Sequence, residues 1–257
     1  MQAHIITIGD ELLIGQVVDT NSAWMAEQLN EIGVPVYQIT SVHDDADHIK
    51  QALSFALQQA DIVLLTGGLG PTKDDITKRV LCDYFHTSLV EDTSVKDHIE
   101  HLYQNRPQVM NRLTTTQWYV PQSATILPNR IGSAPIMLWN EHNHIVVSMP
   151  GVPREMEIAM EEQVLPCLQQ WLHKQHINTH IYHRTLTVHG IPESALAIEI
   201  EDWENNLPQG LHLAYLPKDG KIRLRLSSYG ECTVEVVERE FARLTQLVQP
   251  YLLSRSK

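Results

Sequence analysis

The sequence predicts an α/β protein: a three-layer sandwich with a mostly parallel β-sheet covered by helices on both faces, followed by a small α+β domain. Three observations lead to this prediction. Short apolar runs alternate with segments of helical periodicity through residues 1–173, and the connections between them are short. A glycine-rich turn follows the third apolar run, at 66–70. From residue 180 the pattern changes to strand, helix, two strands and helix.

The first part of the chain alternates strands with helices. Apolar, β-branched runs predict strands at 4–8, 34–42 and 61–65. The first long helix follows Asp19-Thr20-Asn21-Ser22, a cluster of residues that cap helices, and the second follows Asp44-Asp45-Ala46-Asp47. Because parallel strands end at the same edge of a sheet, the turns after strands one and three are expected to lie side by side.

The middle of the chain completes the sheet and its helical cover. Helices are predicted at 76–85 and 92–105, with a shorter one at 113–118. Strands at 136–139 and 145–149 are expected to form a hairpin. A helix then begins at Pro153 and continues to about residue 172.

The polar segment 174–179 is the predicted boundary between a first domain, 1–173, and a second domain, 180–257. The second domain begins with a strand and a helix. Two further strands flank the turn Pro217-Lys218-Asp219-Gly220 as a hairpin, and an apolar stripe marks the last helix.

The glycine-rich segment 66–77 carries the main chemical prediction. Its glycines leave backbone N–H groups open to an anion such as phosphate. Thr72, with Asp75 three residues later, forms a capping pair that predicts a helix start near Lys73. The adjacent carboxylates Asp74 and Asp75 are ligands that a divalent cation prefers. The segment therefore predicts a site for phosphate and metal together.

Neither common phosphate motif is present in this segment. A P-loop has glycine directly before its lysine, where Thr72 stands, and a dinucleotide fingerprint has its third glycine where Lys73 stands. The alternative interpretation is a tight strand-to-helix turn, in which Asp75 only caps the helix and Asp74 only complements the helix dipole.

A second pair of acids, Asp10 and Glu11, directly follows the first strand. Ligands of open α/β sheets bind beyond the carboxyl ends of the strands. We therefore expect these side chains to converge with Asp74 and Asp75. The alternative is a loop with solvated acids.

The composition opposes several classes of function. The 257 residues carry a net charge of −12, so the surface as a whole repels nucleic acid and anionic membranes. No signal peptide or membrane-spanning apolar run is present. The three cysteines, Cys82, Cys167 and Cys232, have no paired spacing. These features predict a cytoplasmic protein without nucleic-acid or membrane partners.

Six short segments follow one another in a characteristic order along the chain. They are Ile8-Gly9-Asp10-Glu11-Leu12-Leu13, Asp19-Thr20-Asn21-Ser22, residues 66–77, Asn129-Arg130-Ile131-Gly132-Ser133-Ala134-Pro135, Met149-Pro150-Gly151-Val152-Pro153-Arg154-Glu155-Met156 and Gly190-Ile191-Pro192-Glu193-Ser194. Together they resemble the N-terminal domain of the competence/damage-inducible protein A (CinA) family, which is similar to the molybdopterin-binding domains of molybdenum-cofactor proteins. The resemblance spans essentially the whole chain.

This resemblance implies a molybdopterin-binding-like fold with metal-dependent hydrolysis of the pyrophosphate bond of ADP-ribose, giving AMP and ribose 5-phosphate. A related domain of some FAD synthases is similar in hydrolysing FAD. Many members carry a C-terminal nicotinamide mononucleotide amidase domain, which is not expected here because the chain stops at Lys257. Two residues depart from the family pattern: Ile136, where glycine is frequent, and Lys73.

Loop chemistry and resemblance together assign the candidate site residues. Glu11 and Asp75 are the catalytic candidates, with Glu11 as general base or outer ligand, and Asp74 and Asp75 are the metal candidates. The phosphate-binding candidates are Thr66, Gly67, Gly68, Leu69, Gly70, Thr72 and Lys73. The substrate-binding candidates are Asp10, Asn21, Ser133, Pro150, Gly151, Arg154 and Glu155. The expected cofactor is Mg²⁺, Mn²⁺ or Co²⁺, with K⁺ as a candidate second ion, and the expected assembly is a homodimer that binds a small nucleotide.

Three alternatives stay open at this point. The first is a molybdopterin- or nucleotide-binding module without turnover. The second is a pyrophosphatase for another dinucleotide, such as FAD. The third is a role in DNA uptake, which the net charge of −12 opposes.

Overall fold

The computed structural model describes residues 1–175, 181–228 and 233–252. The chain divides into two compact units, Met1–Ile177 and Asn178–Lys257. The predicted connector at 174–179 lies mostly outside the described residues, and Cys232 lies outside them as well. Within the described ranges, no helix has the length and apolarity needed to cross a bilayer.

A mostly parallel sheet forms the centre of the first unit. The described strands of this unit are β1 (Ala3–Ile8), β2 (Val36–Val42), β3 (Ile62–Thr66), β4 (Leu89–Glu91), β5 (Tyr119–Pro121), β6 (Thr125–Leu127), β7 (Ile136–Glu141) and β8 (His144–Met149). Six of them form one sheet in the order β2-β1-β3-β8-β7-β6. β7 runs opposite to the other five strands of this sheet, and β4 and β5 form a separate antiparallel pair. The predicted mostly parallel sheet is confirmed, whereas the three-residue strands β4, β5 and β6 were not predicted.

Helices cover both faces of this sheet. They are α1 (Asp10–Leu13), α2 (Thr20–Glu31), α3 (Ala46–Gln59), α4 (Thr77–Tyr84), α5 (Thr93–Leu102), α6 (Pro153–Ala159) and α7 (Leu165–Lys174). One apolar cluster joins α2, α6 and α7 to one face through Met25, Met156 and Leu168. A second cluster joins α3 and α4 to the other face through Leu53 and Leu81. Every residue of β1 and β3 is buried, which explains their continuous apolar sequence.

Aspartate side chains fix the starts of three helices. Asp19 accepts a hydrogen bond from the N–H of Ser22 at 2.9 Å, and Asp45 caps α3 in the same manner. Asp92 accepts from the N–H of Val95 at 3.0 Å at the start of α5. These caps satisfy N–H groups that have no partner within the helix. They also confirm the predicted helix starts in these three places.

The last helical segment of the first unit is not a uniform α-helix. A π-helical turn, Met160–Val164, separates α6 from α7, and the N–H of Leu165 bonds to the Met160 carbonyl five residues earlier. Pro166 explains the wider turn, because proline lacks an N–H and its ring excludes the carbonyl four residues before it. The continuous helix predicted from Pro153 is therefore corrected to two α-helices joined by a π turn.

The second unit is a small α+β domain, as predicted. Its described elements are β9 (His183–His189), α8 (Glu193–Asn205), β10 (Leu211–Lys218), β11 (Lys221–Ser228) and α9 (Val234–Leu247). The sheet is antiparallel in the order β10-β11-β9. Asp219 and Gly220 both have positive φ, the geometry of a tight hairpin turn. An apolar cluster that includes Leu196, Leu224 and Leu244 joins α8 and α9 to the sheet.

Replacing Asp92 tests the α5 cap. We expect Asp92→Ala to lower the free energy of unfolding by about 1 kcal/mol near neutral pH. Hydrogen bonds from Ser94 and Val95 hold the pKa of the Asp92 carboxyl below its ordinary value. The folded state therefore binds this proton less tightly than the unfolded chain does, and the stabilisation disappears as pH falls through the folded-state pKa.

Denaturant unfolding of the wild type and of Asp92→Ala, at neutral pH and at successively lower pH, measures this difference. Asp92→Asn is the control, since an asparagine cap accepts the same hydrogen bond without titrating. If the free energy of unfolding of Asp92→Ala stays below that of the wild type by the same amount down to the lowest pH, Asp92 is not a titrating cap of α5.

Candidate functional site

The glycine-rich loop begins where the strands β1, β3 and β8 end beside one another. The N–H of Gly67 donates to the Met149 carbonyl oxygen at 3.2 Å. A Cβ atom on Gly67 would lie 2.0 Å from the Ile8 carbonyl oxygen, and the φ of Gly67 is 109°. Glycine is therefore required here by the packing of strand ends and by the backbone conformation. This requirement is independent of any ligand.

The end of the loop is held by the first residue of α4. Thr77 donates its N–H to the Gly68 carbonyl and its hydroxyl to the Gly67 carbonyl, both at 3.1 Å. The helix begins at Thr77, so the predicted helix start near Lys73 is wrong. The physical reason is that Thr77 anchors the backbone of α4 to the glycines, which leaves the preceding residues as an irregular loop.

The carboxylate of Asp75 braces this irregular loop. Its Oδ1 accepts the Gly70 N–H at 2.7 Å, and its Oδ2 accepts the Thr72 N–H at 2.9 Å. The Thr72 hydroxyl lies 2.5 Å from Asp75 Oδ2 and 2.6 Å from Asp74 Oδ1, and its one proton serves one of these oxygens at a time. The sequence predicts the Thr72–Asp75 pair as a helix cap. In the structure, its hydrogen bonds instead connect residues within the loop.

Some N–H groups of the loop remain available to a ligand. Those of Gly67, Gly70 and Thr72 already donate within the protein. Those of Gly68 and Leu69 donate to no other residue in the described part of the chain. Both residues line a cavity at the carboxyl ends of the strands. An anion bound there would find these two N–H groups without competition.

The side chain of Asn21 joins the loop to the residues before α6. Its Nδ2 donates to the Gly151 carbonyl at 2.8 Å and to the Thr66 hydroxyl oxygen at 3.3 Å. The Thr66 hydroxyl donates in turn to the Pro150 carbonyl at 2.7 Å. The Oδ1 of Asn21 is buried without a hydrogen-bond partner among the described residues. The predicted site residues Asn21, Thr66 and Gly151 thus form one wall of the cavity, and Pro150 holds Thr66 from outside the lining.

Acidic side chains from separate segments line the same cavity, which has a volume of about 440 Å³. Glu11 follows β1, Asp44 follows β2, and Asp74 and Asp75 follow β3; Asp19, the cap of α2, joins them. The described residues of the lining include no lysine or arginine. The cavity is therefore strongly negative, and it lies at the sheet edge where the sequence places the acids.

Asp44 is a site residue that the sequence analysis missed. Its Oδ2 accepts the N–H of Asp10 at 3.0 Å. Burial raises the pKa of the Asp44 carboxyl, and the nearby carboxylates of Asp10, Glu11 and Asp74 raise it further. The signal was present, because β2 pairs beside β1 and its carboxyl end opens at the same edge. The segment 44–47 was interpreted only as a helix start.

Two of the acids at this edge already have partners. Asp10 Oδ1 lies 2.8 Å from the His43 Nδ1, and Asp10 itself does not line the cavity. A hydrogen bond from Thr72 lowers the pKa of the Asp74 carboxyl, which keeps this group ionised. Glu11 and Asp44 are the remaining acids of the cavity that follow β1 and β2.

A 3₁₀ helix, Thr114–Trp118, braces the loop from behind. The buried Gln117 donates from Nε2 to the Leu69 carbonyl at 2.9 Å, and Lys78 Nζ donates to the Thr116 carbonyl at 2.8 Å. Burial lowers the pKa of the Lys78 ammonium to about 8. These contacts connect residues 48 and 38 positions apart, so no local sequence pattern marks them.

Several predicted site residues lie apart from the acidic cavity. Ser133 lines a different cavity, beside α5. Arg154 is exposed and pairs with an acid of its own helix at 3.3 Å, while Glu155 accepts a hydrogen bond from Asn129 at 2.9 Å. Three further candidates do not line the cavity, although Thr72 and Lys73 belong to the loop and Pro150 accepts a hydrogen bond from Thr66. The predicted site residues therefore do not all lie around one cavity.

The acidic set suits a divalent cation in its chemistry. Mg²⁺ typically binds to one or two carboxylates, keeps several waters and shares its other positions with phosphate oxygens. The raised pKa of Asp44 reflects repulsion between neighbouring carboxylates in addition to burial, and a cation would relieve that repulsion. In the described ranges, no three His, Cys, Asp or Glu side chains stand close enough to hold an ion alone.

Comparison with known proteins identifies the family. Residues 4–170 match the family described as a probable molybdopterin binding domain, and residues 183–254 match the damage-inducible protein CinA KH domain. The solved structure of the protein CinA of unknown function from Thermoplasma acidophilum is 31% identical and superposes with a TM-score of 0.60 over 64% of this chain and 96% of that chain. The chain belongs to the CinA family.

The chain is also similar to longer CinA-like proteins. The protein of Flavobacterium psychrophilum is 42% identical over 97% of this chain and 59% of its own length. The protein of Cytophaga hutchinsonii is 43% identical over 96% of this chain and 58% of its own length. The chain therefore spans somewhat more than half of the length of these two relatives. The resemblance inferred from the motifs is confirmed at the level of the family.

Two glycine substitutions separate close packing from backbone conformation. Gly67→Ala should lower the free energy of unfolding by at least about 2 kcal/mol, because a new Cβ overlaps the Ile8 carbonyl and φ is positive. Gly15→Ala is the matched control: its φ is +74° but nothing lies within 4 Å of the new Cβ, so a loss of about 1 kcal/mol is expected.

Chemical denaturation of both variants beside the wild type measures the two losses. Equal losses for Gly67→Ala and Gly15→Ala would show that the contact with Ile8 imposes no constraint of its own.

Proposed function

We propose that this CinA-family protein hydrolyses the pyrophosphate bond of ADP-ribose, with a divalent metal ion, to give AMP and ribose 5-phosphate. The observation that supports the proposal is the combination of free loop N–H groups with carboxylates around one cavity at the ends of parallel strands. A pyrophosphate needs both kinds of group. Its oxygens accept hydrogen bonds from N–H donors, and carboxylates hold the cation that neutralises its charge.

The N–H groups of Gly68 and Leu69 have the first role in this proposal. Both residues line the cavity, and neither N–H donates to another residue in the described part of the chain. Rigidly held donors stabilise negative charge in the transition state without rearranging. Thr77 holds both peptides in place: its N–H donates to the Gly68 carbonyl, which shares a peptide with the Leu69 N–H, and its hydroxyl donates to the Gly67 carbonyl, which shares a peptide with the Gly68 N–H. The loop is thus prepared before the substrate arrives.

Glu11, Asp44 and Asp74 would hold the divalent ion or act beside it. Bound there, a cation supplies charge neutralisation and a lower pKa for a coordinated water. Glu11 lines the cavity, and we propose it as the general base, with a carboxylate oxygen that accepts the proton of the attacking water. The new bond joins water oxygen to phosphorus, the bond from phosphorus to the bridging oxygen breaks, and the released phosphate group takes the negative charge.

Asp75 has a changed role in this proposal. The sequence makes it the leading catalytic candidate, but both of its oxygens accept hydrogen bonds from the loop. We propose that Asp75 is chiefly a positioning residue, which keeps the Gly70 and Thr72 amides turned away and leaves Gly68 and Leu69 to the phosphate. Any contact of Asp75 with the metal is then secondary to this function.

The remaining expectations belong to the same proposal. We propose Mg²⁺, Mn²⁺ or Co²⁺ as the ion, K⁺ as a second ion, a homodimer as the assembly and the cytoplasm as the location. Support comes from the chemistry of the acidic cavity for the divalent ion, and from the composition for the location.

The direct experiment is incubation of purified protein with ADP-ribose and Mn²⁺, with AMP measured by chromatography. AMP should form with the metal and not in a control with a chelator. Glu11→Gln should lower kcat by roughly 10²- to 10⁴-fold, the usual contribution of a general base. Asp47→Asn, an exposed acid on α3 outside the cavity, should leave kcat unchanged.

Two outcomes would overturn the proposal. The absence of AMP alongside detectable nucleotide binding would identify a binding module. A kcat/KM for FAD or another dinucleotide far above that for ADP-ribose would identify a different substrate, because specificity is a ratio of these constants. Full activity of Glu11→Gln would remove that residue from the mechanism.

A further inference from the structure

The three-stranded sheet of the second unit packs against α8 and α9 with one face only. Leu224 and Leu226 of β11 belong to the apolar clusters that join the sheet to these helices. Side chains of a strand alternate between the two faces, so Lys221, Arg223 and Arg225 lie on the opposite face. We call this opposite face of β9, β10 and β11 the open face.

The open face is basic, although the chain as a whole is acidic. Lys218 of β10 lies opposite Lys221 in the sheet and joins Arg223 and Arg225 on this face. No aspartate or glutamate stands on it in the described strands. Lys218, Lys221 and Arg223 are exposed, and Arg225 is half-buried. The face therefore has a charge opposite to the net charge of −12.

The arginines of the second unit differ in their partners. On the helical side of the sheet, Arg184 lies 3.0 Å from Glu238 of α9, and both arginines of α9 pair with Glu240. Arg223 and Arg225 form no ion pair within the described ranges. The open face thus lacks the acidic partners that the helical side has.

The half-buried Arg225 provides a second indication of a ligand. Its Nε is buried and has no hydrogen-bond partner among the described residues. Burial lowers the pKa of His183, and the charge of Arg225 lowers it further. An anion beside Arg225 would accept the hydrogen bond from Nε and offset this positive charge.

The spacing of the cations indicates an extended ligand. Lys221, Arg223 and Arg225 alternate along β11, so successive cations are about 7 Å apart. The side chains on one side of an extended peptide repeat at the same distance. Thr187 stands beside Arg223 in the sheet, and Thr185 stands beside Arg225. A carboxylate can accept hydrogen bonds from a guanidinium and from a neighbouring threonine hydroxyl.

A nucleic acid fits this face less well than an acidic peptide does. Proteins that bind single strands stack the bases on aromatic side chains. The open face has no phenylalanine, tyrosine or tryptophan in the described strands. The net charge of −12 also repels a polymer with one phosphate per nucleotide. Charge and shape together therefore favour a short acidic segment of protein.

We propose that the open face is a docking surface for an extended acidic segment of another protein, with carboxylates at alternate positions. Arg223 and Arg225 each bind one carboxylate through parallel N–H groups, and Lys221 binds a third. This surface belongs to the second unit, so the proposal does not depend on hydrolysis in the first unit.

The test is fluorescence anisotropy of the full chain with a labelled peptide of alternating Glu and Thr, eight residues long like β11. The affinity should fall as salt is added, because the contacts are between charges. Arg223→Gln combined with Arg225→Gln should weaken binding at least about tenfold. Arg184→Gln is the matched control, since this arginine of β9 lies on the helical side, and it should bind as the wild type does.

Thermal unfolding checks that each variant is folded, and a peptide of alternating Gln and Thr should not bind. Failure of the wild type to bind the acidic peptide, or equal affinity in the double variant, would overturn the proposal. Tighter binding of a single-stranded thymidine oligonucleotide, lost in the double variant, would assign the face to nucleic acid instead. Self-association that only the double variant loses, without peptide binding, would assign it to a contact between copies of this chain.

Discussion

The carbonyl oxygen of Ile8 lies so close to Gly67 that no side chain fits between them. This contact brings the end of β1 against the end of β3, and the bond from Gly67 to Met149 adds the end of β8. Three strand ends therefore meet at one residue. Glu11, the glycine-rich loop and the residues before α6 follow these three ends and line the acidic cavity, so the geometry of the site depends on a glycine at this position. The close-packed interior below allows no compensating shift without cost.

The loop that leaves Gly67 divides its backbone donors between structure and ligand. Asp75 takes the N–H groups of Gly70 and Thr72, and the strand end takes that of Gly67. The N–H groups of Gly68 and Leu69, which line the cavity, donate to no other described residue. The loop thus combines a rigid fold with open donors, which is the condition for electrostatic stabilisation of a phosphate. The carboxylates around the loop make the cavity strongly negative. The described residues of its lining include no lysine or arginine.

Local sequence was sufficient for much of this arrangement. Buried strands such as β1 and caps such as Asp19 follow from apolar runs and capping residues, and the order of strands places Glu11 and Asp74 at one edge. Contacts between residues that are far apart in the sequence could not be predicted from local patterns. Gln117 has no local signal, and the early helix start failed because Thr77 binds the glycines across the loop. Asp44 was overlooked because one segment supplies both a cap and a site acid.

The central claim is that one cavity binds a divalent ion and a pyrophosphate together. It is tested most directly by calorimetric titration of a non-hydrolysable α,β-methylene analogue of ADP-ribose, with Mn²⁺ and with a chelator, in the wild type and in Asp44→Asn. The account predicts that Mn²⁺ tightens binding at least about tenfold and that Asp44→Asn loses most of this gain, since Asp44 would help to hold the ion that neutralises the pyrophosphate. An affinity that does not depend on Mn²⁺, or a gain that Asp44→Asn leaves intact, would contradict it.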